Sequence, residues 1–408
     1  MIKLIGHVRN FSSSPSLNVI QNVTVVGGGL MGSGIAQVAA QAGQNVTIID
    51  VKPELLEKAQ KSIKSNLVRV AKKTFKDDAA KAEQFVKDSF DRIKVSTKIE
   101  DGANVDLIVE AIVEKLDAKQ ELFKKLDDLS PEHTIFASNT SSISINEICS
   151  GIKRKDRFGG LHFFNPVPVM RLLEVIKGDD ISEATYQAMM AWGKSVGKTC
   201  ITCKDTPGFV VNRLLGPYSA EALRMYERGD ASKEDIDIGM KLGAGYPMGP
   251  FELADYTGLD TNKFALQVMY EKTGNPVFEP IPLLHKMVEE GKLGIKTGEG
   301  FYKYNKNKFH YRKKKIIIDI NMKHELTISG DASGKDIDVG MKLGAGYPMG
   351  PLELADYTGL DTKVQVLATL YEKTGLAVFK PIAVLNKLVS EGRIGRKSGE
   401  GIYKYESK

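Results

Sequence analysis

A doubly wound parallel α/β sheet followed by a mostly helical domain is predicted by three observations. The first is the order strand, glycine turn, helix, strand across residues 23–50. The second is a series of short apolar runs, such as 105–112, of the kind that parallel strands buried on both faces require. The third is a change at Pro207, after which strand character gives way to helices and turns.

The elements follow in order. The β-branched run 23–26 ends in Gly27-Gly28-Gly29, and an apolar-periodic helix covers about 31–42. Residues 45–50 are a second strand closing on an acid, which completes a βαβ unit. Residues 53–90 are lysine-rich and helical, and read as a helical pair protruding from the sheet. "IKVST" is a strand, 117–129 a helix, and 134–139, 158–164 and "LLEVIK" are further strands. The alternation confines the sheet domain to 19–206. Pro207 is read at the first turn of a helix, where its missing N–H costs nothing. A helical domain then runs to 304.

Part of that domain is repeated. "ASKEDIDIGMKLGAGYPMGPFELADYTGLDT" starts at Ala231, and "ASGKDIDVGMKLGAGYPMGPLELADYTGLDT" starts at Ala332. About two thirds of the aligned positions are identical at one constant offset, down to "GEGFYKY" and "GEGIYKY". Two copies are too few for a solenoid. A basic stretch, 305–330, without helical periodicity joins them, and 331–408 is a partial second copy without a counterpart to the first long helix. Such a fragment has an uncovered apolar face, which can displace the first copy, swap into a partner subunit or remain loosely folded. The join suggests two alternative carboxyl ends, either of which would complete the chain.

Composition excludes several classes. The net charge is +6, but residues 1–18 carry +2 and 305–325 carry +5, leaving the rest at −1. No basic patch interleaved with aromatics marks the neutral part, so no nucleic-acid partner is expected. No run approaches eighteen apolar residues, so no membrane span is expected. Three cysteines suit a reducing compartment. Cys200 and Cys203 form a CxxC within "KTCITCKD", but that segment reads as a strand, whereas a redox pair needs a helix N-terminus. No metal site is expected. The first acid of the chain is Asp50, and residues 1–18 are basic and serine-rich, as a mitochondrial presequence is.

Gly27-x-Gly29-x-x-Gly32 follows a strand, opens a helix and precedes Asp50 at a strand end. Gly27 permits the tight turn, Gly29 lets a pyrophosphate approach the backbone, and Gly32 lets helix and strand pack closely. The helix N-terminus offers free N–H groups to the phosphates. Asp50 would accept the ribose hydroxyls and repel a 2′-phosphate, which favours NAD over NADP. Lys52 weakens that preference a little. Further on, His162 ends one strand and Glu174 begins the next element. A histidine suits abstraction of a hydroxyl proton, and a carboxylate can orient it.

The segments "VVGGGLMGSGIAQVAA", "ASNTSSISI", "LHFFNPVPVM", "KDTPGFVVNRLL", "LGAGYPMGPFELADY" and "KTGEGFYKY" together resemble the mitochondrial L-3-hydroxyacyl-CoA dehydrogenase family over residues 22–304. The resemblance implies a Rossmann-type domain and NAD-dependent oxidation of an acyl-CoA 3-hydroxyl in fatty-acid β-oxidation in the mitochondrial matrix. It also implies a homodimer through the helical domain. His162 matches the family's base and Glu174 its partner, while Ser141 and Asn212 match donors to the substrate oxygen. Gly27, Gly28, Gly29, Leu30, Met31, Gly32 and Asp50 match the dinucleotide site. Glu114, Lys119, Ser141 and Asn165 match its nicotinamide half, and Lys296 matches a lysine at the cofactor site, with Lys397 its counterpart in the copy. Lys73 matches a lysine for CoA phosphates. Asn66 stands where the family has a serine, which puts that contact in question. Two other readings stand beside this one: a related dehydrogenase of a 3-hydroxyacid without CoA, such as L-gulonate, and a catalytically silent binding paralogue.

Overall fold

The computed structural model describes residues 20–304 and 330–405. The leader expected at 1–18 and all but the last residue of the 305–330 linker lie outside the described residues. Eight strands build one sheet: β1 (Asn22–Val26), β2 (Asn45–Ile49), β3 (Ile93–Ser96), β4 (Leu107–Glu110), β5 (Ile135–Ser138), β6 (Phe158–Phe163), β7 (Leu172–Lys177) and β8 (Thr199–Lys204). Their order is β3-β2-β1-β4-β5-β6-β7-β8. All neighbours are parallel except β6 and β7. The chain winds outward in opposite directions from β1, so a crevice opens at the carboxyl ends of β1 and β4.

Strand periodicity divides the core into two layers. On β4, Leu107 and Val109 join one apolar cluster and Ile108 the other. The first layer lies under α1 (Leu30–Gln41), α2 (Pro53–Thr74) and α6 (Glu183–Ser195), between α3 (Ala79–Asp91) and the sheet edge. The second lies under α4 (Leu116–Leu129) and the short α5 (Ile145–Ile148). In α2, Leu56, Ala59, Ile63, Leu67 and Ala71 are buried at helical spacing, while the lysines between them stay in water. With α3, α2 forms the protruding pair read from the sequence.

Cys200 and Cys203 sit on opposite faces of β8, one in each layer. Burial pushes the Cys200 thiol up to about 11 and the Cys203 thiol well above its usual value. Neither carries thiolate character at neutral pH.

Pro207 does not open a helix. Residues 207–210 make a turn in which Gly208 and Phe209 adopt positive φ, and α7 (Val211–Arg228) begins after it. The first copy of the repeat holds α8 (Lys233–Ile238), a π-helical turn at Gly239–Gly243, α9 (Pro250–Thr257), α10 (Leu259–Thr273) and α11 (Pro282–Glu289). The second holds α12 (Gly334–Gly344), α13 (Pro351–Thr358), α14 (Leu360–Thr374) and α15 (Ala383–Ser390).

The same polar scaffold closes each copy. Buried Asp237 accepts from the Phe251 and Glu252 amides at the start of α9, and Asp338 does the same for Leu352 and Glu353. Asp255 and Asp356 likewise hold the two glycine–tyrosine tails. The second copy does not displace the first. Its α12 packs against β7, β8 and α7, which cover its apolar face. Among the described residues, no helix is long and apolar enough to cross a membrane.

Candidate active site

The glycine turn is held from both sides. Gly27 has φ +116°, and its N–H donates to the Ile49 carbonyl. A Cβ there would lie 2.4 Å from the Ala111 carbonyl oxygen. At Gly32 it would lie 1.8 Å from the Gly27 oxygen, so helix and turn touch backbone to backbone. Gly29, at the N-cap of α1, has nothing within 4 Å of that position. The turn is therefore rigid at its ends and open in the middle, where a phosphate fits against the helix N-terminus. Leu30 is exposed and Met31 half-buried beside it. Asp50 accepts from the Gly28 amide at 2.7 Å and the Lys52 amide at 2.9 Å, which fixes its carboxylate at the turn.

A buried ionic network lies beyond β4. Lys119 is fully buried, 2.6 Å from Glu110 and 3.2 Å from Glu114. Glu110 also accepts from Ser138 Oγ and the Ile112 amide. Glu114 accepts from Thr140 Oγ1, from the amides of Ser141 and Ser142, and from both serine hydroxyls. Burial opposes its ionisation, but Lys119 and these donors outweigh burial and hold its pKa below the ordinary carboxylate value. Ser141 is exposed and is not a helix cap; Ser144 fills that role for α5.

His162 and Glu174 meet across the antiparallel pair β6–β7 in direct register. Nδ1 of His162 lies 2.6 Å from Glu174 Oε2. With its proton shared there, Nε2 is left to accept a proton from a ligand. Glu174 is fully buried, and its other oxygen accepts from the Val210 and Val211 amides. The imidazole is 6% exposed and packs between Phe164 and Phe209. Asn212 follows in the first turn of α7, half-buried. Asn139 ties β5 to β6 by accepting from the Phe163 amide, next to His162.

The remaining expected residues lie in other settings. Asn165 is exposed just after β6. Lys296 is paired with Asp260 in the helical domain, and Lys397 repeats the pair with Asp361. Lys73 is exposed on α2, and Asn66 is half-buried there, 3.5 Å from an Arg69 nitrogen. A cleft of about 620 Å³ between α2 and α3 is lined by Lys64, Val68, Lys72, Phe75 and Phe90 among others, and neither Asn66 nor Lys73 borders it. No cluster of three or more metal-ligating side chains occurs among the described residues. The sequence reading missed Glu110, Ser138, Asn139 and Thr140. Glu110 had a visible signal, a carboxylate inside an otherwise apolar strand.

Comparisons with known proteins match both parts of the chain. A family model for the 3-hydroxyacyl-CoA dehydrogenase NAD binding domain matches residues 22–206. The model for the 3-hydroxyacyl-CoA dehydrogenase C-terminal domain matches twice, at 208–304 and 319–405. The mitochondrial hydroxyacyl-coenzyme A dehydrogenase of Homo sapiens is 55% identical over 72% of this chain and 94% of its own. A probable 3-hydroxybutyryl-CoA dehydrogenase of Bacillus subtilis is 46% identical over 70% and 98%. The solved 3-hydroxybutyryl-CoA dehydrogenase of Escherichia coli superposes with a TM-score of 0.83 at 28% identity. It covers 91% of this chain and 99% of its own, and so extends into the second copy. With both halves matched and the glycine turn, the ionic network and the His–Glu pair in place, the chain belongs to the 3-hydroxyacyl-CoA dehydrogenase family.

Proposed function

We propose that the chain oxidises L-3-hydroxyacyl-CoA to 3-ketoacyl-CoA with NAD, and that His162 is the base. The observation that carries this reading is the buried His162–Glu174 pair, whose only unshared ring nitrogen belongs to an otherwise apolar surround. NAD, when bound, supplies a hydride acceptor. Gly27–Gly32 and Asp50 suit its pyrophosphate and ribose, and the open position at Gly29 is the room it needs. Glu174 holds the Nδ1 proton and balances the imidazolium that forms as Nε2 takes the hydroxyl proton. Ser141 and Asn212 act as donors to the developing alkoxide. Glu114 and Lys119 hold the Ser141 loop in place.

The lysine-rich α2–α3 pair supports a CoA substrate, because CoA phosphates need cations. Lys73 and Asn66 are the α2 positions that the family resemblance offers for it. The leader-like first 18 residues and the mitochondrial relatives support a place in the mitochondrial matrix, in fatty-acid β-oxidation. The test is turnover of acetoacetyl-CoA with NADH against turnover of free L-gulonate with NAD. Strong activity with the first and none with the second is expected. Preference for the free acid would move the chain to the non-CoA reading, and silence with both would make it a binding paralogue.

A further inference from the structure

Two lysines are buried among the described residues, Lys119 and Lys198, and they are held differently. Lys119 lies between two carboxylates. Lys198, 8% exposed between α6 and β8, has no carboxylate partner among the described residues. Its ammonium donates instead to two main-chain carbonyls, that of Val167 and, at 2.8 Å, that of Met170. It also stands over the Phe163 ring, 5.9 Å from its centre. Burial lowers its pKa to about 8, so the group is still mostly charged at neutral pH. A buried charge without a counter-ion is costly, and carbonyl dipoles offset only part of that cost.

The two carbonyls belong to a single helical turn in the connection from β6 to β7. The Pro166 carbonyl accepts from the Val169 and Met170 amides at 2.9 and 3.0 Å, and the turn ends there. Lys198 takes end carbonyls that a longer helix would have bonded itself. Val167, 2% exposed, seats the turn on α1. A Cβ at Gly34, in the second turn of α1, would come 2.8 Å from the Val167 Cβ and 3.6 Å from the Pro168 Cδ. On its other side the turn joins directly to Asn165, which is exposed just after the His162 strand. The Thr199 amide donates to the Arg171 carbonyl at 2.7 Å, so the strand that follows Lys198 is itself fixed where β7 begins. Lys198 thus lies outside the glycine turn and the His162–Glu174 pair, yet it ties together the segments that carry them.

We propose that Lys198 is a positioning residue for the nicotinamide end of the dinucleotide, an inference that rests on the NAD reading above. The ammonium clamps the 166–170 turn onto α1. This holds Asn165 and the end of β6 in one frame with the glycine turn. The adenosine end does not depend on the clamp, because Asp50 follows β2, on the far side of β1 from β6. Removing the charge leaves two carbonyls without their donor and lets the turn lift from α1. One half of the site then moves and the other does not.

Fluorescence titration of the full chain with NADH, and competition by ADP-ribose, which has no nicotinamide, test this. Lys198→Met keeps the length of the side chain and removes its donors. It should weaken NADH binding roughly tenfold, the scale of lost charge-assisted hydrogen bonds. ADP-ribose should bind as it does to the wild type, and kcat with acetoacetyl-CoA at saturating NADH should fall. Gly34→Ala pushes Val167 off α1 with Lys198 intact; it should show the same split, and it decides alone if Lys198→Met does not fold. Unchanged NADH affinity in a folded variant overturns the proposal. So does a parallel loss of NADH and ADP-ribose binding, since a loosened fold would move both. A wild type that binds NADH but turns over no acyl-CoA removes the reaction proposed above, and the split between the two ligands still decides for Lys198. A wild type that binds neither ligand removes both.

Discussion

His162 stands directly opposite Glu174, and the two oxygens of that one carboxylate face different parts of the molecule. Oε2 holds the imidazole at 2.6 Å, and Oε1 holds the Val210 and Val211 amides at 3.1 and 3.0 Å. The group that orients the base also anchors the start of the helical domain.

His162→Gln should lower turnover by roughly a hundredfold or more, the scale for losing a positioned acid–base group. NAD affinity should hardly change. Steady-state rates alongside NADH fluorescence titration check both, and near wild-type turnover would remove His162 from the base role.

Glu174 separates into two effects. Glu174→Gln can keep an oxygen on the α7 amides but loses the charge that stabilises imidazolium, so kcat should fall with little change in melting temperature. Glu174→Ala leaves two buried amides unpaired, each costing about 1–3 kcal/mol. It should therefore lower the melting temperature as well. Equal melting temperatures for the two variants would contradict the anchoring role.

The glycine turn predicts opposite outcomes for two similar changes. At Gly32 a methyl group meets the Gly27 oxygen at 1.8 Å, so Gly32→Ala should destabilise the fold itself. At Gly29 it meets nothing within 4 Å, so Gly29→Ala should fold normally and bind NAD more weakly. Thermal melts paired with NADH titration distinguish them.

Asp50→Ala should weaken NAD binding and relax discrimination against NADP, because the carboxylate sits at the Gly28 amide at the end of β2. The readout is the ratio of kcat/KM for the two cofactors, and an unmoved ratio would exclude Asp50 as the ribose ligand.

Glu114 ionises more readily in the folded chain than its reference value of 4.5. Its contribution to stability is present above that value and is lost as pH falls through the lower folded one. Glu114→Gln should therefore flatten the loss of stability as pH falls below 4.5. Denaturation curves for wild type and variant across that range decide the matter; parallel losses would show that Glu114 is not responsible.

The βαβ unit, the succession of strands along the chain and the helical pair were legible because each rests on a period or a glycine spacing. The way His162 meets Glu174 was less so. Only residues 164–171 separate β6 from β7, too few for a parallel crossover, and this points to the antiparallel pair that sets them in register. Pro207-Gly208 reads equally as a turn, and the structure takes that option because Glu174 captures the amides that follow. Glu110 was passed over inside an apolar run, although a buried carboxylate demands a partner such as Lys119. Gly-Met-Lys-Leu-Gly, π-helical at 239–243 and α-helical at 340–344, could not be read at all, since only tertiary packing tells the two apart.

Helix α7 has a consequence for how the molecule comes apart. Val211 and Leu214 belong to the apolar cluster under the sheet, and Ala220, Ala222 and Leu223 belong to the cluster of the first helical copy. Pro217 lies between them and lacks the amide that would bond back along the helix. One rod thus spans two cores, with its only missing rung at the border. Neither core can melt without unseating part of the rod that the other holds, so the sheet and the first helical copy lose structure as a single cooperative unit.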